Sequence, residues 1–501
     1  MKYTNPVVCA DMANPDVVRV EKDFYMVCSS SNLVPGVPVF HSQNLVEWEL
    51  VSYVLPEIPF EGFNTTRHGM GAGAPSIRYH NGTYYCLIPF IDEGIYVSET
   101  KNPRFGWSPL RPLIEGIGLK EPSPIWSSGR CFVVFSFDKK RTGVNSQLAV
   151  FEANEELTAA SSKFTVVYDG RNMAPEIGNP KIYRRGKYFY ILASAGGVKS
   201  GWQVALRSPD IYGPYEGRII LTQGETDING PRCGSLVDMD DGGEKWAFVH
   251  TQDKGAYGHV LHVEPAIWRD EWVLCGKVSD EKLPASPKEA GEYPVDIQTG
   301  YRIEPSDEFD GETLSLKWQT PANRNSQWSE MKRGLKLNCT YYGGNSLSDL
   351  PQLFLQRVPH LNFSIKTKCK LNLLNDGDEA GFAVFGDEYA YICVVRQGGQ
   401  NYLEIRKGKV GGSEDETLCR SQPYDDNYVT FQISAKYEDR NKLTYKFTFG
   451  GSAFTHKFYA SKRAGFGALV GIYAKANTVS KGSATFKFFR AVCTDNRISK
   501  T

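Results

Sequence analysis

Several features are scarce or missing in this sequence, and each absence narrows what it can do. No apolar run approaches the ~18 residues that a membrane-crossing helix needs, so no membrane span is expected. No charge of one sign dominates, because 57 Lys and Arg stand against 57 Asp and Glu. A nucleic-acid partner calls for a positive footprint, and none is expected. The 11 cysteines are scattered with no C-x-x-C pair, which argues against a zinc site or a disulfide framework. Cys28, Cys86 and Cys393 lie inside apolar strand patterns and read as small buried hydrophobes. The opening MKYTNPVVCAD has no apolar stretch of the secretory-leader kind. Long helical periodicities are nearly absent.

What is abundant is aromatic and turn-forming: 27 Tyr, 27 Phe, 9 Trp and 48 Gly. Short strands between turns predict an all-β protein, and 501 residues predict two domains. One pattern recurs through the first half: a polar turn, an aromatic, then an apolar run. It reads VEKDFYMVCSS, HNGTYYCLIPF, SSGRCFVVFSF, RRGKYFYILAS and GGEKWAFVHTQ, anchored by Tyr25, Tyr85, Phe132, Phe189 and Trp246. The spacing, about 50 to 60 residues, is that of a four-stranded blade with its loops, so residues 1–283 are expected to form a five-bladed β-propeller. Residues 284–305, rich in Pro, Gly and charge, read as a linker. Residues 306–501 return to period-2 alternation, as in FSIKTKCKLNLL and YVTFQISAKYE, and predict a jelly-roll-like β-sandwich.

Just ahead of the first strand, ADMANPD places Asp11, Asn14 and Asp16 on one loop. With the stretches NPVVCADMANPDVVRVEKDFYMVCSSS, GAPSIRYHNGTYYCLI, EPSPIW, PKIYRRGKYFYILASAGG and RSPDIYGPYEG, it makes the first domain resemble glycoside hydrolase family 43. The stretch from DEFDGETLSLKWQ to AGFAVFGDEYAYICVV is similar to the β-sandwich of the β-xylosidase and α-L-arabinofuranosidase branch. The resemblance implies a five-bladed propeller with its active site at one end of the central axis. An inverting glycosidase needs a carboxylate that activates water and a carboxylic acid that protonates the leaving oxygen, roughly 6.5–9.5 Å apart. A third carboxylate raises the acid's pKa by like-charge repulsion.

Carried over residue by residue, the resemblance departs from the family at two positions. The family's first-blade Pro-Asp-Pro matches Ala13, Asn14 and Pro15, so Asn14 stands at the base position, and an amide cannot deprotonate water. Asp11 shares the loop and is a candidate for the missing carboxylate. Asp16 is one strand register along, is expected to face another way, and is a substrate-binding candidate. The family's Asp before Pro-Ser, which the resemblance implies is the modulator of the acid's pKa, becomes Glu121 in KEPSP. Its Glu-Gly-Pro-His aligns with GNPK and puts Gly178 at the acid position. Glu176, two residues upstream, is the candidate proton donor.

Trp202, Arg232, His68 with Arg67, and Trp126 complete the substrate-binding candidates. Arg232 stands where the family often has a His near the axis. No cofactor is expected to be required, and a structural calcium at the axis stays open. Asn81-Gly82-Thr83 fits a glycosylation triplet, but a tight turn explains it.

The resemblance implies an exo-acting hydrolase that releases terminal arabinofuranosyl or xylosyl residues from plant polysaccharide side chains or oligosaccharides by inversion. Two alternatives remain: a catalytically impaired carbohydrate-binding homologue, and a hydrolase of another sugar such as galactose. A monomer or small homo-oligomer is expected. The setting is expected to be secreted or periplasmic, with the cytoplasm as the alternative.

Overall fold

The structure, a computed structural model, describes residues 1–240, 242–279, 284–344, 346–412, 416–438, 442–449 and 454–494. Five four-stranded antiparallel sheets, each built from strands consecutive in the chain, form a β-propeller. The innermost strands of blades 1 to 5 are Asp16–Val20, Ser76–His80, Leu119–Ser127, Gly178–Arg185 and Arg232–Asp238. The five aromatic anchors each occupy the second strand of a blade, as in Thr83–Phe90, where every residue is buried. Asn81 (φ 48°) and Gly82 (φ 75°) both adopt the left-handed backbone that a two-residue hairpin turn requires, which accounts for that Asn-Gly-Thr triplet.

Blade 5 takes no strand from the N-terminus, so the ring is closed in another way. The N-terminal segment straps onto the third strand of blade 5, His259–Arg269. Val7 N–H donates to the Leu261 carbonyl (2.8 Å), Met12 N–H to that of His259 (2.8 Å), and the Tyr3 hydroxyl to that of Val263 (2.7 Å). Strand Lys2–Thr4 then pairs with Ala290–Glu292, which returns from the end of the propeller.

Two large antiparallel-dominated sheets follow and pack face to face. Phe363–Asn372 shows the alternation read from the sequence, with Phe363, Ile365, Thr367, Cys369 and Leu371 buried and the lysines between them exposed. The sandwich core centres on Trp318, Phe382, Phe431, Phe486 and Phe489. The sandwich sits against propeller loops on the side where the innermost strands begin. Val34 and Thr320 exchange two backbone hydrogen bonds (2.8 and 2.7 Å), and Asn323 clamps both backbone groups of Ile58 (2.8 and 2.9 Å). The turn around Lys462–Ala468 reaches over to blades 1 and 5.

Inside blade 5, His250 and His262 lie fully buried as cross-strand neighbours, with ring centroids 5.0 Å apart. His250 Nε2 meets Glu264 (3.3 Å), whereas neither ring nitrogen of His262 has a hydrogen-bond partner among the described residues. Burial, with His250 and Lys254 nearby, drives the His262 pKa well down. The unfolded chain therefore binds a proton that the fold refuses. Stability is fully present above the unfolded histidine value of about 6.5 and is lost as pH falls below it, by up to about 1.4 kcal/mol per pH unit. Thermal melting between pH 7.5 and 5 is expected to show this slope, and His262→Leu to flatten it.

Candidate active site

Each innermost strand is preceded by a similar short motif. The five are Asn14-Pro15-Asp16, Ala74-Pro75-Ser76, Glu121-Pro122-Ser123, Asn179-Pro180-Lys181 and Cys233-Gly234-Ser235. The first residues of these triplets form a ring at one end of the axis, and the third residues form a layer beneath it. In the ring, Asn14, Glu121, Asn179 and Cys233 all have left-handed φ, between 51° and 58°. Register shifts fall at the same place in the innermost strands of blades 3, 4 and 5. Non-glycine residues in this region are costly and concentrate at functional sites. The shifts turn the ring side chains out of the strand alternation and toward one another.

The layer beneath is a closed polar cluster. Asp16, Ser76, Ser123, Lys181 and Ser235 have no exposure. Asp16 Oδ2 accepts from the Arg78 guanidinium (2.6 Å), the Ser76 hydroxyl (2.6 Å) and the Ile77 N–H (2.9 Å), and lies 3.8 Å from Lys181 Nζ. Its Oδ1 accepts from the Ser235 hydroxyl (3.0 Å). Arg78 continues to Ser123 (3.1 Å), so all five blades meet through these groups. Burial alone would raise the Asp16 carboxyl, but Arg78 and Lys181 outweigh it and hold the pKa low.

In the ring, Asn14 Oδ1 accepts from Asn179 Nδ2 (2.8 Å) and from the Cys233 thiol (3.1 Å), while Asn14 Nδ2 donates to Ser29 Oγ (2.9 Å). Glu121 supplies the only carboxylate among the five ring residues. Its Oε2 accepts from the Ser136 hydroxyl and the Asn179 N–H (2.6 Å), and Lys120 Nζ lies 3.6 Å from Oε1. Burial works to raise the Glu121 pKa. Lys120, Ser136, the Asn179 N–H and Arg232 together hold it below the usual range, so it is ionised at neutral pH. A Cβ on Gly178 would stand 2.8 Å from Glu121 Oε2. The longer arm of Glu121 thus fills the space that any side chain at position 178 would need.

The Glycosyl hydrolases family 43 profile matches residues 3–273. The chain belongs to that family. It is therefore grouped with enzymes that hydrolyse O-glycosyl bonds. Residues 306–491 match the beta xylosidase C-terminal concanavalin A-like domain. The non-reducing end alpha-L-arabinofuranosidase of Bacteroides ovatus is 28% identical over 530 residues, covering 98% of this chain and 95% of that one. A beta-xylosidase of Formosa agariphila is 27% identical over 368 residues, covering 66% of this chain and 60% of that one. Among solved structures, a family 43 protein of Bacillus licheniformis superposes with a TM-score of 0.84 over 99% of this chain and 100% of that one. At 22% identity this is a likeness of fold.

The remaining candidates of this family 43 chain lie in different places. Asp11 is turned toward the sandwich, where its carboxylate accepts from the His259 N–H (2.8 Å), His259 Nδ1 (3.0 Å) and the Gly467 N–H (2.9 Å). Asp16 faces the axis rather than away from it, since residues two apart share a face, but it lies below the ring with its oxygens already engaged. Glu176 is exposed on the loop entering blade 4, with its carboxylate against Gly197 and its N–H bonded to Ser146 (2.8 Å). Arg232 interacts first with the side chain of Cys233, its neighbour at the ring, through a hydrogen bond, and also feels Glu121 and Asp253. Trp202 is at the same end, further out in blade 4. Gly196 covers its ring so closely that a Cβ there would overlap it.

His68 is pinned under the sandwich, donating Nε2–H to the Ser348 carbonyl (2.8 Å), and Arg67 lies over Phe63 (4.9 Å). Trp126 sits five residues beyond Glu121, about 16 Å along the strand at the far end of the propeller. There it stacks on His80 (4.5 Å) and donates to the Glu155 carbonyl (2.8 Å). Asn179, Cys233, Lys120 and Ser136 were not read from the sequence as site residues. For Asn179 and Cys233 the signal was present, as the same short motif ahead of each strand.

An axial calcium does not fit this donor set. Calcium takes six to eight oxygens, whereas the two carboxylates near the axis are already engaged, Asp16 with Arg78 and Lys181 and Glu121 with Lys120, Ser136 and the Asn179 N–H. Among the described residues, no group of three or more His, Cys, Asp or Glu side chains could hold a metal.

Two predictions follow from the packing. Asp16→Asn leaves Arg78 and Lys181 without their buried counter-charge and is expected to cost about 3–5 kcal/mol in urea unfolding. Gly178→Ala is expected to cost about 1–3 kcal/mol. Adding Glu121→Asp should recover part of that loss, a coupling that a double-mutant cycle measures.

Proposed function

We propose that this chain is an exo-acting glycoside hydrolase that releases terminal arabinofuranosyl or xylosyl residues from polysaccharide side chains or oligosaccharides by inversion. The observation that carries the reading is the placement of the Glu121 carboxylate in a strained ring at the propeller axis, where its neighbours favour the charged form. The names of the relatives support the sugar class, and a polysaccharide substrate would go with a secreted or periplasmic setting.

Roles follow from what each carboxylate is free to do. Asp11 and Asp16 are committed to structural partners, so Glu121 is the ring group left to accept a proton. Water attacks the anomeric carbon as the glycosidic bond breaks. In this reading Glu121 takes the water proton, and Glu176 donates its own to the leaving oxygen from the rim. Solvent then restores both. Asn14 orients the water or a sugar hydroxyl by hydrogen bonding and transfers no proton.

A second reading, a carbohydrate-binding homologue without turnover, is favoured by one observation. Asn179 and Asn14 form an amide pair at the heart of the ring, where hydrolysis benefits from ionisable groups.

Aryl pentosides and arabino-oligosaccharides are the test. Glu121→Gln is expected to lower kcat by about 10²–10⁴-fold. Glu176→Gln should lower it most on substrates with poor leaving groups. No turnover on any of these, alongside measurable sugar binding, would replace the hydrolase with the binding module.

A further inference from the structure

The charges around the ring do not balance. Six groups follow one another from the floor of the site to the sandwich. Asp16 lies beside Lys181, Lys181 is felt by Glu121, Glu121 by Arg232, and Arg232 by Asp253, which pairs with Lys462 of the sandwich. Arg78 and Lys120 join at Asp16 and Glu121. Three carboxylates thus face five cations, and Asp16 and Lys181 are fully buried. Glu176 stands at the rim against Gly197 and does not enter the ring. Asp11 is matched by its own partners, His259 and Arg463.

Two unpartnered polar atoms mark where the surplus points. Among the described residues, Arg232 Nε is buried with no acceptor and Asn179 Oδ1 is buried with no donor. Asn179 is 2% exposed, and its amide is joined through Asn14 to Cys233, the neighbour of Arg232. A neutral sugar can supply the hydroxyl that Asn179 Oδ1 needs. It supplies no charge for the guanidinium. Guanidinium groups bind carboxylates and other oxyanions in two-pronged, charge-assisted contacts. A half-buried cation favours such a partner over water.

We propose that the glycan taken by this ring carries an anionic group, a uronate carboxylate or a sulfate ester, on the sugar in the ring or the one linked to it, with Arg232 as its principal contact. The Asn179 amide oxygen accepts from a hydroxyl of the same sugar. The inference rests on the proposed function only for the ring being where the glycan binds.

The test is calorimetric binding of matched neutral and anionic probes at low salt: glucose against glucuronate and glucose 6-sulfate, and xylobiose against glucuronosyl-xylose. The anionic member of each pair is expected to bind about 10- to 100-fold more tightly, and the advantage should shrink at 0.5 M NaCl. Glucuronate ahead of the sulfate assigns a carboxylate, and the reverse order assigns a sulfate ester.

Arg232→Gln should abolish the anion advantage, so that the two members of each pair bind within about threefold of one another, and Arg232→Lys should retain part of it. Equal affinity for both members of each pair in the unaltered protein overturns the proposal, whether or not the variants fold. So does an anion advantage that survives Arg232→Gln in a folded protein. The two readings fail separately. Turnover of neutral pentosides with no anion preference ends this inference and leaves the hydrolase. Uronate binding without turnover of any substrate ends the hydrolase and leaves this inference.

Discussion

One fully buried carboxylate holds the centre of this molecule. Asp16 sits on the propeller axis, and its bonds, with those of Arg78, reach every blade. An ion in this position loses its hydration, and the loss is tolerable only when nearly every lone pair is satisfied. Blade 5 borrows no strand from the N-terminus, so the ring depends on this cluster and on the N-terminal strap along His259–Arg269 to stay closed. Because Asp16, Ser76, Ser123, Lys181 and Ser235 each lie two residues beyond a ring position, the cluster also fixes the height and direction of the ring above it.

That ring is small, strained and short of carboxylates. Four of its five residues have left-handed φ, a conformation that persists only where the surroundings impose it. Here the surroundings are the bulged strand starts and the hydrogen bonds that lock Asn14, Asn179 and Cys233 together. Glu121 and Gly178 are a matched pair in volume. The extra methylene of Glu121 carries its carboxylate toward blade 4, and the bare backbone of Gly178 makes room for it. The remaining charge is set by the lysines and arginines around this one acid rather than by neighbouring carboxylates.

The architecture was legible because it is written in local, repeated signals. Tyr25, Tyr85, Phe132, Phe189 and Trp246 recur at blade spacing, and each takes the same place in its blade. The alternation in Phe363–Asn372 shows directly which side chains face the sandwich core. Glu121 was legible for a related reason, since its Pro-Ser context stands immediately beside it. The fates of Asp11 and Asp16 were not legible. The partners that engage them, Gly467 and Ser235, are 456 and 219 residues away in the chain. Trp126 shares the stretch EPSPIW with Glu121, but five residues of strand carry it to the opposite end of the propeller.

The sequence by itself determined the strands, the five-fold repeat, the sandwich that follows, and the amide and glycine at two positions where the family pattern has acids. These are consequences of side-chain chemistry and near-neighbour spacing. Only the tertiary structure decided which acids remain free to act. It turned Asp11 to the sandwich, sealed Asp16 under Arg78 and Lys181, left Glu176 on the rim, and set Glu121 in the ring. The physical reason is that a carboxylate's charge and reach depend on which blades and which domain close around it, and that closure exists only once the propeller ring has formed and the sandwich has docked.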